Sequence, residues 1–373
     1  LIITQERGKK KGSEVALSAY PLLEIDLGVV ERNATVILQK CNSWHLHPVV
    51  VTKGFLADAP LVSLFYHLGI KSFADSNLEN LLKTKKLLPP GVRLLLIRLP
   101  MKEEVGEIVA EGITPFVSHW EMVETLNEEA QKKDKVLPLF LALESGDARE
   151  GFLPEEIEEM GNKIDDFSHI KVEGICSTLA CLSGILPDEE ILKKLVAFKK
   201  SWEDRWGRKI ILSVGGTTFL SLWEKEKDIK GVDEIRLGEA LLFGNDISRG
   251  RKINWLERGA FTIKAEIVEI KSKEPDREKE RGFDAFGEPN FPLIKGKRKR
   301  MILALGKQDS DEHQLSCSDE NAKIIGATSN YLVMDIEDSD RIYKLGEVVQ
   351  FQAGYGAVLR AFLSPYVRKV YHW

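Results

Sequence analysis

The sequence predicts an α/β chain with a second, mainly β part: a (β/α)8 barrel followed by a C-terminal β-domain. Strand-like runs of apolar and β-branched residues recur at 48–53, 71–75, 93–99, 113–117, 136–143, 171–177, 209–214 and 232–237. Amphipathic helical segments separate them, and eight such strands over about 200 residues fit a closed parallel barrel. Beyond Gly244 the pattern turns to alternating strands at Phe261 to Ile270, Arg300 to Leu305, Ile324 to Ile336 and Val348 to Phe351, with no amphipathic helix between. A doubly wound open sheet competes for the first part, but it gives no reason to stop at eight strands.

In chain order, residues 1–20 are polar and Lys/Gly-rich and read as a loose lead-in. The chain opens on Leu1 rather than Met, which suggests truncation or processing. Leu22 to Leu27 alternates as a strand, and Gly28 to Trp44 follows as a helix. That early strand has no barrel partner and is expected to join the β-domain, tying the termini together. The barrel is then expected over 21–246 and the β-domain over 247–373. Pro48 to Val51 is a β-branched run of the kind buried on both faces of a parallel sheet, and it ends on Thr52-Lys53-Gly54. The helix opening at Pro187-Asp188 shows its apolar spacing in Ile191, Leu192, Leu195, Val196 and Phe198. Glu274 to Lys299 is charged and rich in Gly and Pro, and reads as a long loop.

At 43% hydrophobic and 30% charged residues, the chain can bury a sizeable core. A net charge of −5 with interspersed signs argues against nucleic acid as a partner. The runs Lys9 to Lys11 and Lys295 to Arg300 read as solvated flanks. Cys41, Cys176, Cys181 and Cys317 lack zinc-type spacing, so they are expected to be reduced thiols of a cytoplasmic protein with no metal site. No apolar run reaches the length of a membrane span, and the N-terminus lacks a signal-peptide core.

Residues just past barrel strands share one face of the molecule. Here they are Lys53, Asp75, Arg149, Ser177-Thr178, Ser213-Val214-Gly215-Gly216-Thr217-Thr218 and Arg236-Leu237-Gly238. Singly, Lys53 reads as a surface lysine and Gly215-Gly216 as a turn. At the seventh strand of a barrel, however, a glycine-rich segment opening a helix is suited to a phosphate. A lysine able to form a Schiff base beside such a cradle points to pyridoxal phosphate.

The stretches PLLEIDLGVVERN (Pro21–Asn33), VVVTKG (Val49–Gly54), FADSNLEN (Phe73–Asn80), ESGDAREGF (Glu144–Phe152), IRLGEALLFG (Ile235–Gly244) and YGAVLRAFLSPYVRK (Tyr355–Lys369) occur in this order. Through them the chain resembles the alanine racemase-like, fold-type III pyridoxal-phosphate enzymes, most closely their ornithine racemase branch. The resemblance implies that Lys53 carries the cofactor as a Schiff base and that Arg236 faces the pyridine nitrogen. An arginine stays protonated, so it donates to that nitrogen and keeps it unprotonated. The ring is then a weaker electron sink, and the carbanion is reprotonated before transamination competes. Arg149 is implied near the lysine and the cofactor hydroxyl. Ser213, Gly215, Gly216 and Thr217 are implied around the phosphate, with the phenol of Tyr355, which equally reads as a core tyrosine.

Departures from the family pattern bear on the substrate. In LGKQDSDE (Leu305–Glu312), Lys307 occupies the slot of the opposite-face tyrosine base. A lysine can serve there if desolvation or a nearby cation frees its amine. Thr178 replaces the histidine that stacks on the ring, and Ser329-Asn330 replaces an "MD" pair of the second subunit. Smaller neutral groups suit a substrate longer than alanine. Asp309, Asp311 and Glu312 are candidates for a distal ammonium, although such a charge run also reads as a solvated loop.

The implied activity is a racemase acting by two bases on a basic amino acid such as ornithine or lysine. It would work as a head-to-tail homodimer in which one β-domain completes the other subunit's site, with no nucleic-acid or membrane partner. Two alternatives remain at this level: a pyridoxal-phosphate carrier without turnover, and a decarboxylase of the same fold type. Such decarboxylases place a Glu opposite the pyridine nitrogen and a reactive Cys late in the chain. Here Arg236 stands in that position, and Cys317 lies in a polar loop.

Overall fold

The computed structural model describes residues 19–161, 164–225, 229–274, 279–287 and 296–373. Most of the lead-in, the Lys9 to Lys11 run, and much of the 274–299 segment lie outside the described residues. The chain forms two compact units. Val30–Arg258 make one, and the N-terminal stretch up to Val29 joins Gly259–Trp373 in the other.

The larger unit is a closed barrel of eight parallel strands: β2 (His47–Val51), β3 (Ser72–Asp75), β4 (Arg93–Leu96), β5 (Thr114–Val117), β6 (Leu137–Ala142), β7 (Ile170–Thr178), β8 (Ile211–Gly215) and β9 (Glu234–Leu237). Closure comes from β2 pairing with β9, Val49 opposite Arg236 and Val50 opposite Leu237. Its helices are α1 (Leu27–Ser43), α2 (Ala59–His67), α3 (Leu78–Leu87), α4 (Val105–Glu111), α5 (Trp120–Lys132), α6 (Pro154–Met160), α7 (Glu189–Trp206), α8 (Leu220–Lys225) and α9 (Glu239–Phe243). A two-stranded pair, β10 (Asn245–Asp246) and β11 (Arg251–Lys252), follows.

The barrel interior is a packed core, as its side-chain volumes demand. Val49, Ala74, Leu95, Phe116, Phe140, Ala142 and Cys176 form one buried cluster, with the Phe116 and Phe140 rings 5.4 Å apart. Small residues on β3, β6 and β7 make room for the two rings. α7 shows why these helices form where they do. Its N-cap Asp188 accepts from Ile191 N–H at 2.8 Å, its buried stripe is Leu192, Leu195, Lys199 and Trp202, and Gly207 ends it at φ 61°.

The smaller unit holds an eight-stranded sheet. β1 (Leu22–Asp26) pairs antiparallel with β12 (Phe261–Lys273) and parallel with β18 (Arg368–His372). The early strand thus sits between the sheet's first long strand and the chain's last. β13 (Arg298–Leu303), β14 (Leu315–Cys317), β15 (Lys323–Ala327), β16 (Leu332–Asp335) and β17 (Val348–Ala353) complete the sheet. The run expected as one strand over Ile324 to Ile336 is a hairpin. Its turn closes at Thr328, whose N–H donates to Tyr331 O at 2.8 Å and whose hydroxyl accepts from Tyr331 N–H. Ser329-Asn330 favours that turn over a continuous strand.

The sequence reading placed no helix in this unit, yet α10 (Tyr355–Leu363) is one. Gly354 precedes it, and Ala357, Val358, Ala361 and Phe362 form its buried face. Among the described residues no helix is long and apolar enough to cross a membrane.

Candidate active site

Strand order and register bring the barrel candidates to one end. β2 delivers Lys53 on a short 3-10 turn, Lys53–Phe55, anchored where Thr52 N–H donates to Ala74 O at 2.8 Å. Lys53 is half-buried and Gly54 buried. The neighbouring β9 supplies Arg236, which is 3% exposed.

Arg236 is locked in place. Nη1 donates to Ser213 O at 2.8 Å and to Ser213 Oγ at 2.9 Å, while Nη2 donates to Ser177 O and Thr178 Oγ1, both at 2.8 Å. The Phe116 ring lies beneath the guanidinium at 5.0 Å. Burial pushes this guanidinium down from its ordinary pKa, and the Glu234 carboxylate opposes that. Among the described residues no acceptor takes Nε–H, which remains for a ligand. Gly215 is required here, since a Cβ would come within 2.4 Å of Arg236 Nη2.

The segment after β8 fits a phosphorylated ligand. Thr217 Oγ1 accepts from Ala240 N–H at 3.0 Å, so its own hydrogen is left to donate. Thr218 Oγ1 is buried with no partner, and a polar atom in that state calls for one. At Gly216 an added Cβ would meet nothing closer than 3.9 Å, which leaves open space beside the backbone. Ser213 differs from its expected role. It is 0% exposed and its hydroxyl accepts from Arg236, so it serves the arginine rather than a phosphate. Thr178 likewise accepts from Arg236.

Arg149 sits in the loop after β6. That loop is tied to β6 where Phe152 N–H donates to Ala142 O at 2.7 Å. Gly151, at φ +154°, allows the tie, because a Cβ there would fall 2.2 Å from Glu144 N. Two acids missed by the sequence reading shape this loop. Glu144 accepts from the N–H groups of Gly146, Ala148 and Arg149. Asp147, 3% exposed, accepts from the N–H groups of Cys181, Leu182 and Ser183 in the loop after β7, and these bonds hold its carboxyl below the usual range despite burial. Both lie inside the ESGDAREGF stretch, which carried signal for them but none for their roles. Arg149 pairs with Glu150 and donates to Cys181 Sγ at 2.6 Å. The Cys176 thiol, buried in the barrel, is pushed up to about 12 and stays neutral.

The remaining candidates lie in the smaller unit, where three segments meet. Lys307 N–H donates to Thr328 O at 2.8 Å, and Gly306 approaches Ser329 so closely that a Cβ would stand 2.0 Å from its carbonyl oxygen. Asn330 is exposed at the hairpin tip. Arg360 of α10 reaches the carbonyl of Lys307, and Tyr355, half-buried, opens that helix. Lys307 Nζ lies 3.4 Å from Glu312 Oε1, 3.8 Å from Asp284 Oδ2 and 4.5 Å from the Phe286 ring centre. Its charged neighbours are therefore carboxylates, and of the two routes to a free amine, desolvation or a nearby cation, the second finds no cation among them. Asp309 is 3% exposed and accepts from Ser364 Oγ at 2.7 Å; Glu312 is buried too. This acidic run is not a solvated loop. Among the described residues no group of three or more His, Cys, Asp or Glu could hold a metal ion.

Comparison with known proteins shows the family of the chain. Residues 25–246 match the family model described as alanine racemase, N-terminal domain. An ornithine racemase of Acetoanaerobium sticklandii is 32% identical over 94% of this chain and 99% of its own length. A lysine racemase of Thermotoga maritima is also 32% identical, over 94% of this chain and 98% of its own. Among solved structures, an alanine racemase from Bartonella henselae with covalently bound pyridoxal phosphate superposes with a TM-score of 0.73, at 17% identity, over 95% of this chain and 100% of that one.

Proposed function

Because the chain belongs to the alanine racemase family, we propose that it is a pyridoxal-phosphate-dependent isomerase racemising a basic amino acid, ornithine or lysine. One observation carries the reading: a lysine on the turn after β2 and a buried, fully oriented arginine on the adjacent β9 stand at the end of the barrel that also holds the Gly215 to Thr218 cradle. The relatives named for ornithine and for lysine, each matched over nearly the whole chain, support the basic substrate.

Lys53 would hold the cofactor, Arg236 would donate to its ring, and Gly216, Thr217 and Thr218 would take its phosphate. When bound, pyridoxal phosphate supplies an electron sink that acidifies the substrate Cα–H. The residues do the rest. Lys53 moves the α-proton on one face, and Arg236 restrains over-delocalisation by donating to the ring nitrogen without giving up its proton. Arg149, whose loop Glu144 and Asp147 shape, would supply positive charge near Lys53 and the cofactor hydroxyl. We assign the opposite face to Lys307, whose ammonium, paired with Glu312 and Asp284, is suited to deliver a proton. We further infer a head-to-tail homodimer in which one copy's smaller unit serves the other's barrel.

The test is incubation of purified protein with L-ornithine or L-lysine followed by chiral chromatography. D-isomer forming to equilibrium with either substrate is the expected result. No D-isomer across a panel of amino acids, with cofactor bound, rejects the reading.

A further inference from the structure

Asp75 has no part in the chemistry described so far, yet it is the most deeply buried charge beside Lys53. It closes β3 at 0% exposure, and β3 pairs with β2 in a register that sets Val51 opposite Ala74, so Asp75 lies beside Thr52. Its acceptors are fully engaged. Oδ2 takes the Thr52 hydroxyl at 2.6 Å, and Oδ1 takes Asn77 N–H at 2.8 Å and the Asn80 amide at 3.3 Å.

Among the described residues no cation pairs with Asp75 directly. The charged groups on the elements packed against it are Lys53 on its turn, Lys83 on α3 and Arg98 after β4. Lys83 reaches Asn80 Oδ1 at 3.4 Å, and Arg98 is taken up by Ser76 O, Leu99 O and Glu104. Burial raises the Asp75 carboxyl above its ordinary pKa, and the Thr52, Asn77 and Asn80 donors, then Lys53 through space, oppose that rise. A buried anion without an ion-pair partner normally neutralises itself. Three donors oppose that tendency here, with the residue next to Lys53 as the closest of them.

We propose that Asp75 is a positioning residue for Lys53. It fixes the Thr52–Lys53 turn and supplies, from inside the barrel wall, the negative charge that governs how readily Lys53 gives up its proton. The inference rests on the assignment of Lys53 in the proposed function.

The experiment uses the full chain freed of cofactor and measures acylation of Lys53 by an amine-selective succinimidyl ester at pH 7.5, quantified by peptide mass spectrometry. With Asp75→Asn, which keeps shape and removes charge, Lys53 should react roughly three- to tenfold faster. Thr52→Val leaves Oδ2 without its donor and weakens the charge, so it should raise the rate in the same direction by less. It also decides the matter should Asp75→Asn fail to fold. Asp75→Asn should in addition move the pH optimum of turnover, which a purely structural role would leave in place. Acylation within twofold of wild type in every folded variant overturns the proposal. The acylation needs neither cofactor nor turnover, so its failure is separate from a failure of the racemase reading.

Discussion

Arg236 concentrates the stability and the chemistry of the site in one side chain. Its guanidinium satisfies Ser213 O, Ser213 Oγ, Ser177 O and Thr178 Oγ1, so Arg236→Ala takes a donor from four acceptors, three of them buried. That substitution should lower unfolding free energy by about 3 kcal/mol, read from urea titration, and abolish turnover. Lys53→Ala should leave stability nearly unchanged while removing turnover and the absorbance of bound cofactor. Lys53 and Arg236 could be set at one end of the barrel from sequence because Lys53 comes just after β2 and Arg236 near the end of β9, and the barrel fixes where such residues go. Ser213 was legible as a site residue but not as the arginine's partner. Which neighbour a hydroxyl faces depends on the β8–β9 register, and one strand alone does not reveal it. Glu144 and Asp147 escaped for a related reason: each acts on backbone N–H groups that only the folded loops bring near.

The loop after β6 and the start of α9 each carry a prediction at the level of the element. Gly151 sits against the backbone of Glu144, so Gly151→Ala must break the tie that shapes the Arg149 loop. Turnover should drop at least tenfold, with a stability loss of about 2 kcal/mol by thermal denaturation. Glu239 opens α9, and burial, with some help from Asp246 against the Ile247 N–H, raises its carboxyl from 4.5 to about 7. The folded chain therefore holds a proton there that the unfolded chain releases near pH 4.5. Its cost is absent below that pH, grows as pH rises, and is complete above about pH 7. Glu239→Gln should thus match wild type at pH 4 and exceed it by about 1–2 kcal/mol at pH 8, discounting for partial solvation. The barrel strands were legible because strands buried on both faces are long apolar runs. The 324–336 run misled because Ser329-Asn330 is turn chemistry inside an otherwise continuous strand pattern. α10 was missed because Gly354 and Gly356 obscure a short helix whose apolar face is set by Ala357, Val358, Ala361 and Phe362.

At the scale of the whole molecule, the residues proposed to hold the cofactor fall in one unit, and Lys307 and Asn330 in the other. If copies share sites as proposed, mixing inactive Lys53→Ala and Lys307→Ala proteins under exchange conditions should restore turnover. Half the reassorted dimers then carry one intact site of two, giving about a quarter of wild-type activity. No recovery, with exchange confirmed by mass, would place both residues in one copy's site or remove Lys307 from it. The central claim is proton transfer at Cα directed by Lys53 on this barrel, and proton NMR of L-ornithine or L-lysine in deuterium oxide tests it most directly. With wild-type protein the α-proton signal should disappear as D-isomer accumulates carrying deuterium, and neither should occur with Lys53→Ala. An α-proton that persists with cofactor bound, or carboxylate loss in place of exchange, would contradict the account.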